Sequence, residues 1–90
     1  MNKYAEATEV INKMAEVKMM MNAHKGNIED VESHMLLDAM ANEMEELAEG
    51  IRSGDMINII EEAADIHNFL IGLVQQQLDR YRSRKNVKSQ

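Results

Sequence analysis

Ninety residues confine the chain to one small domain, and without cysteine it can form no disulfide framework, thiolate zinc site or cysteine nucleophile. No proline, four glycines and two tyrosines plus one phenylalanine argue against a turn-rich β architecture and for helices. The formal net charge is −6, and residues 1–79 hold all 16 acids but only half of the basic residues, which excludes the basic face that non-specific nucleic-acid binding needs.

From Tyr4 to about Ala23, apolar residues fall at Ala7, Val10, Met14, Val17 and Met21, the spacing of one helical stripe. His24-Lys25-Gly26-Asn27 interrupts it. Asp30 or Ser33 is the candidate N-cap of a second helix, whose stripe is Leu36, Met40, Met44, Leu47 and Ile51. Arg52-Ser53-Gly54-Asp55 makes a tight connection with Asp55 as N-cap. The third stripe is Ile59, Ala63, Ile66, Leu70, Leu73 and Val74, extending toward Tyr81. Arg80, Arg82, Arg84, Lys85 and Lys88 then make residues 80–90 a basic C-terminal tail, read either as a solvated terminus or as a contact for phosphate. The expectation is an all-α fold, a short bundle of three helices over residues 1–79. Nine methionines, Met19-Met20-Met21 among them, supply more apolar surface than one thin helical layer hides, so the chain is expected to oligomerise. No segment approaches the roughly 20 apolar residues of a membrane helix and none reads as a signal peptide, so a soluble, cytoplasmic protein with no membrane partner is expected.

Eight of the 16 acids lie between Glu43 and Asp65, straddling the Ser53-Gly54-Asp55 turn. On helical wheels Glu43 and Glu46 border the second stripe, and Glu62 and Asp65 border the third, whereas Glu45, Glu49 and Glu61 face away. Each helix therefore carries one i,i+3 carboxylate pair on the flank of its core stripe, and the short connection makes the two helices antiparallel neighbours. Four converging carboxylates repel one another and resist ionisation unless a cation joins them. A hard, oxygen-loving cation suits them, Mg²⁺ ahead of Ca²⁺ or Mn²⁺ where phosphates complete the shell; the alternative is an ordinary acidic flank.

These residues resemble the MazG-like nucleotide pyrophosphohydrolases, an all-α family related to the dimeric dUTPases, with an EExxE…ExxD signature on two antiparallel helices. Here the signature reads Asn42-Glu43-Met44-Glu45-Glu46-Leu47 and, after a gap of usual size, Glu61-Glu62-Ala63-Ala64-Asp65, with Asn42 replacing the family's first glutamate. The literal string EExxE stands one turn later, from Glu45 to Glu49, and that register would put Glu49 on the outward face. Asn22-Ala23-His24-Lys25-Gly26 resembles the N-x-H-K-G segment of small phage-type members, with Ile28 near the place where a tryptophan often follows. Residues Glu62 to Phe69 resemble their E-A-A-D-x-x-N-F segment, and the likeness spans roughly residues 10–75.

The resemblance implies hydrolysis of a nucleoside triphosphate to monophosphate and pyrophosphate, with Glu43, Glu46, Glu62 and Asp65 holding Mg²⁺, or Mn²⁺ in its place, against the phosphates. Glu46 is the expected acceptor of the attacking water's proton, and Lys25 the cation that neutralises phosphate charge. His24 is assigned to base or phosphate, or to capping. Asn68 is read as a base or sugar contact or a surface asparagine, and Phe69 as a stacking or a core aromatic. His67 is read as packing or interface, and His34 is given no role. The resemblance also implies that protomers pair into a four-helix core, as a homodimer or homotetramer, and that the basic tail of one chain reaches phosphates bound by another. Its phage-type features favour dGTP or GTP, converted to dGMP or GMP in phage nucleotide metabolism within the host cytoplasm. dUTP or dCTP hydrolysis, house-cleaning of aberrant nucleotides and a non-catalytic helical oligomer are the alternatives.

Overall fold

Long stretches of alanine, glutamate, leucine and methionine without proline favour uninterrupted helix. The computed structural model describes residues 2–89, with side-chain surroundings as far as Lys85. It consists of α1 (Ala5–Met21), α2 (Ser33–Ser53) and α3 (Met56–Ser89), with single 3₁₀ turns at Ala23–Lys25 and Ile28–Asp30 between the first two. The all-α expectation holds among the described residues. Helix α3 continues through the basic segment predicted as a tail as far as Ser89, with Lys88 placed on the helix but its side chain outside the described part.

The α2–α3 connection is set by backbone chemistry. Gly54 takes the left-handed conformation at φ 71°, which lets the Gly54 N–H bond the Ile51 carbonyl (3.3 Å) and the Asp55 N–H bond the Gly50 carbonyl (3.1 Å). This is a Schellman stop. Asp55 then caps α3 as predicted, its carboxylate accepting the Asn58 N–H at 3.1 Å. At the start of α2 the expected caps do not form. Glu32 occupies the N-cap position without a side-chain cap bond, because the Ser33 hydroxyl donates to Gln76 Oε1 on α3 and Asp30 accepts the Asn27 amide instead.

Helix α3 is the spine. Both α1 and α2 run antiparallel to it and pack on it, and they make no contact with one another among the described residues. Its buried ridge is Ala64, Asn68, Gly72 and Gln76, an i,i+4 row of small and amide side chains rather than the predicted row of bulky ones. Helix α1 is rotated by about a quarter turn from its predicted face. Ala15 is buried with Ile11, Lys18 and Asn22 beside it, while Val17 and Met21 are 49% and 64% exposed. On α2, Leu36 is fully buried, whereas Met44 and Ile51 stand in the open. Leu70, Ile71, Val74 and Leu78 are likewise exposed on α3. The radius of gyration is 15.7 Å, against about 12 Å for a compact chain of this length. A single chain thus leaves most of its large apolar side chains uncovered. No helix of the described residues is long and apolar enough to cross a membrane.

Ile28, in the second 3₁₀ turn, sits directly on Gly72. A Cβ at position 72 would lie 2.2 Å from Ile28 Cγ2 and 2.6 Å from Ile28 Cβ. The clash involves a branched carbon next to the backbone, so a rotamer change cannot relieve it. Gly72→Ala is therefore expected to be destabilising by about 1–2 kcal/mol net, since overpacking exceeds the gain in helix propensity. Thermal unfolding followed by circular dichroism should show a lower Tm with helicity kept; an unchanged or higher Tm contradicts this docking.

Candidate functional site

The Schellman turn brings the last turns of α2 against the first turns of α3, and Gly50 lets them approach closely. A Cβ there would meet Asn58 Nδ2 at 3.0 Å and Ile59 Cγ1 at 3.3 Å. Two turns back from this crossing, Glu43 on α2 faces Glu62 and Asp65 on α3. Each of the three offers a carboxylate oxygen within 4.8 Å of the others. Glu62 is 9% exposed, and Glu43 Oε2 and Glu62 Oε2 are buried with no hydrogen-bond partner. Glu46 lies one turn further along α2, on the exposed rim of the cluster and next to Glu62. The outward orientation expected of Glu45 and Glu49 is observed, Glu49 pairing with Arg52 at 2.7 Å.

The electrostatics follow from this crowding. A hydrogen bond shared with Glu43, then burial, then the charges of Glu43 and Asp65 push the Glu62 carboxyl from 4.5 up to about 7. Glu46 is also raised, chiefly by its hydrogen bond with Glu62 and by that group's charge. Without a cation, a proton shared between carboxyls is what neutralises the seam. A hard divalent ion satisfies the same oxygens with a purely carboxylate donor set, so the residues present fit such an ion.

Beside the cluster lies a groove of about 720 Å³ between α1, the 3₁₀ turns, the start of α2 and α3. Lys18, Asn22, Lys25, Asp65, Asn68 and Phe69 are on its wall, and Asp65 is the residue it shares with the carboxylate trio. Lys25 is exposed and Phe69 half-buried. Asn68 is 6% exposed; its amide donates to the Ala15 carbonyl at 3.0 Å, and its Oδ1 is buried without a partner. His24 is exposed on the same turn as Lys25 but does not line the groove. His67 is half-buried with an unpartnered Nδ1, and His34 is exposed, 3.4 Å from Glu32.

Sequence reasoning passed over Lys18 and Gln76, and placed Asn22 in the N-x-H-K-G-like segment without giving it a role. Lys18 Nζ lies 3.5 Å from Asp65 Oδ2. Asn22 closes α1 by donating to the Lys18 carbonyl at 3.0 Å. Gln76 donates to the Glu29 carbonyl (3.0 Å) and to the Val31 carbonyl, fastening one groove wall to α3. The available signal was the series Ile11, Ala15, Lys18 and Asn22, which has helical spacing but turns polar at its end.

Because folding raises the Glu62 pKa, the folded state holds this proton more tightly than the unfolded chain. The stability it contributes is full below about pH 4.5 and is lost as pH rises through about 7. In a chelator, the Tm should therefore fall between about pH 5 and about pH 8, and Glu62→Gln should flatten that slope. A wild-type Tm that rises across this window contradicts the shared-proton description.

The sequence model of the family described as Phosphoribosyl-ATP pyrophosphohydrolase matches residues 20–89, which include the carboxylate cluster and most of the groove. No curated protein and no solved structure matched the chain. Pyrophosphohydrolase chemistry on nucleotides, hydrolysis of a phosphorus anhydride, is what this family performs. The chain belongs to the phosphoribosyl-ATP pyrophosphohydrolase family, within the MazG-like all-α nucleotide pyrophosphohydrolases that its acidic motifs resemble.

Proposed function

We propose that the chain hydrolyses a nucleoside triphosphate, with dGTP or GTP the favoured substrate, to the monophosphate and pyrophosphate in a Mg²⁺-dependent reaction. One observation carries this reading: Glu43, Glu62 and Asp65 converge within 4.8 Å, with two buried carboxylate oxygens left without a partner, beside a groove large enough for a nucleotide. Glu43, Glu62 and Asp65 would hold the divalent cation, with Glu46 joining from the rim. Bound there, Mg²⁺ or Mn²⁺ would neutralise phosphate charge and make water more acidic.

The chain's own residues do the rest. Lys25, exposed at the groove, attracts and neutralises the phosphates. The unpartnered Asn68 Oδ1 accepts a hydrogen bond from the base or sugar, and Phe69 offers apolar ring surface to the base. Water attacks the α-phosphorus, the bond from that phosphorus to the α–β bridging oxygen breaks, and Glu46 takes the water's proton. Its raised pKa makes Glu46 a stronger base than an ordinary carboxylate. His24, away from the groove wall, takes no part. The uncovered apolar faces of α2 and α3 support pairing into a four-helix core, as a homodimer or homotetramer.

The family match favours a second reading, in which phosphoribosyl-ATP is the nucleotide cleaved at the same anhydride. A panel of dGTP, GTP, dATP, dUTP, dCTP and phosphoribosyl-ATP, each with Mg²⁺ or chelator and scored for monophosphate and pyrophosphate, separates the two. We expect cation-dependent release of pyrophosphate, fastest from dGTP or GTP. Glu46→Gln should lower kcat about 100-fold or more with helicity and assembly intact. Release of pyrophosphate from none of them would leave a non-catalytic helical oligomer, and a single-chain mass by light scattering would contradict the pairing.

A further inference from the structure

Lys18 is placed unusually for a lysine. It projects from the inner face of α1, its side chain is 19% exposed, and its Nζ stands 3.5 Å from Oδ2 of Asp65, itself 20% exposed. Most of its stem is covered, so the ammonium is held at one spot rather than waving in solvent. That spot lies on the groove wall beside Asn22 and Asn68, at the boundary with the carboxylate trio.

The position gives the ammonium two competing uses. With no divalent ion present, it offsets the charge of Asp65 beside Glu43 and Glu62, whose buried oxygens have no donor. When the trio's charge is committed to a cation, the attraction on Lys18 weakens, while its side chain still lines the groove with three N–H donors to place. A phosphate oxygen is the partner that restores its hydrogen bonding.

We propose that Lys18 is an exchanging cation: it pairs with Asp65 in the metal-free protein and binds a phosphate oxygen of the nucleotide once the trio holds its divalent ion. The proposal rests on the cation-site reading above. It makes two predictions of opposite sign, because Lys18 competes with the divalent ion for Asp65 yet assists the phosphates. A lysine that merely fastens α1 to α3 leaves the pyrophosphate affinity unchanged, so the phosphate arm is the one that separates the two roles.

The test uses Lys18→Met, which keeps the stem and removes the charge, with Lys18→Gln as a second neutral variant and Lys18→Arg as the conservative one. Titration calorimetry with Mn²⁺ alone should show about threefold to fivefold tighter binding to Lys18→Met and Lys18→Gln than to wild type. Inorganic pyrophosphate at saturating Mg²⁺ should bind both neutral variants about tenfold more weakly, and Lys18→Arg should recover most of that loss. If wild type binds Mn²⁺ but the neutral variants change neither affinity, or weaken both together, the exchange is wrong and the cation site stands. If wild type binds no Mn²⁺, the exchange and the cation site fall together.

Discussion

Glu43 and Glu62 face one another across the α2–α3 seam with no other type of residue donating to their buried Oε2 atoms, only a proton that the carboxyls share, and the site is arranged around that constraint. Like charges a few ångströms apart in a half-buried place cannot all ionise without a counter-charge. The Schellman stop at Gly54 turns α3 back along α2, and the missing side chain of Gly50 lets the two helices approach closely, which brings the carboxylates together. Nothing about helix stability requires such a cluster. Leucine or alanine at these positions would pack the seam at lower electrostatic cost, so stability alone does not account for the arrangement.

The same holds along α3. Its buried positions include Glu62, Asn68 and Gln76 where a stability-driven bundle would carry leucines. Asn68 ties the spine to α1 through the Ala15 carbonyl, and Gln76 ties it to the second 3₁₀ turn through two carbonyls. Gly72 between them admits Ile28. These three contacts set the walls of the groove, while Asp65 joins the groove to the carboxylates. Bulky apolar side chains are displaced to the outer faces, where another chain can cover them.

What was legible in the sequence follows from how locally each feature is encoded. The helices, the Gly54–Asp55 turn and the Asp55 cap depend on neighbours in the chain and could be read from them. The i,i+3 pairs Glu43/Glu46 and Glu62/Asp65 were readable as flanking positions for the same reason, and the short turn dictated which helices would bring them together. The face of α1 was not readable, because Val17 and Met21 lie on the most apolar stripe of the helix, yet both are exposed and the neighbouring series Ile11, Ala15 and Lys18 is the one turned inward. Ser33 looked like a cap, yet its hydroxyl is drawn to Gln76, 43 positions away. Lys18 was invisible for a related reason: only the packing of α1 on α3 brings it to Asp65. Lys25, Asn68 and Phe69 do share the groove, but the family resemblance rather than their spacing had singled them out.

The central claim is that the unsatisfied oxygens of Glu43 and Glu62, with Asp65, form a seat for a divalent cation. Anomalous scattering from crystals grown with Mn²⁺ addresses it without any assumption about substrate. A peak enclosed by Glu43, Glu62 and Asp65, with Glu46 at its edge, is expected. Density with no peak between these carboxyls, or with Mn²⁺ bound only along the outward acids Glu45 and Glu49, would contradict it.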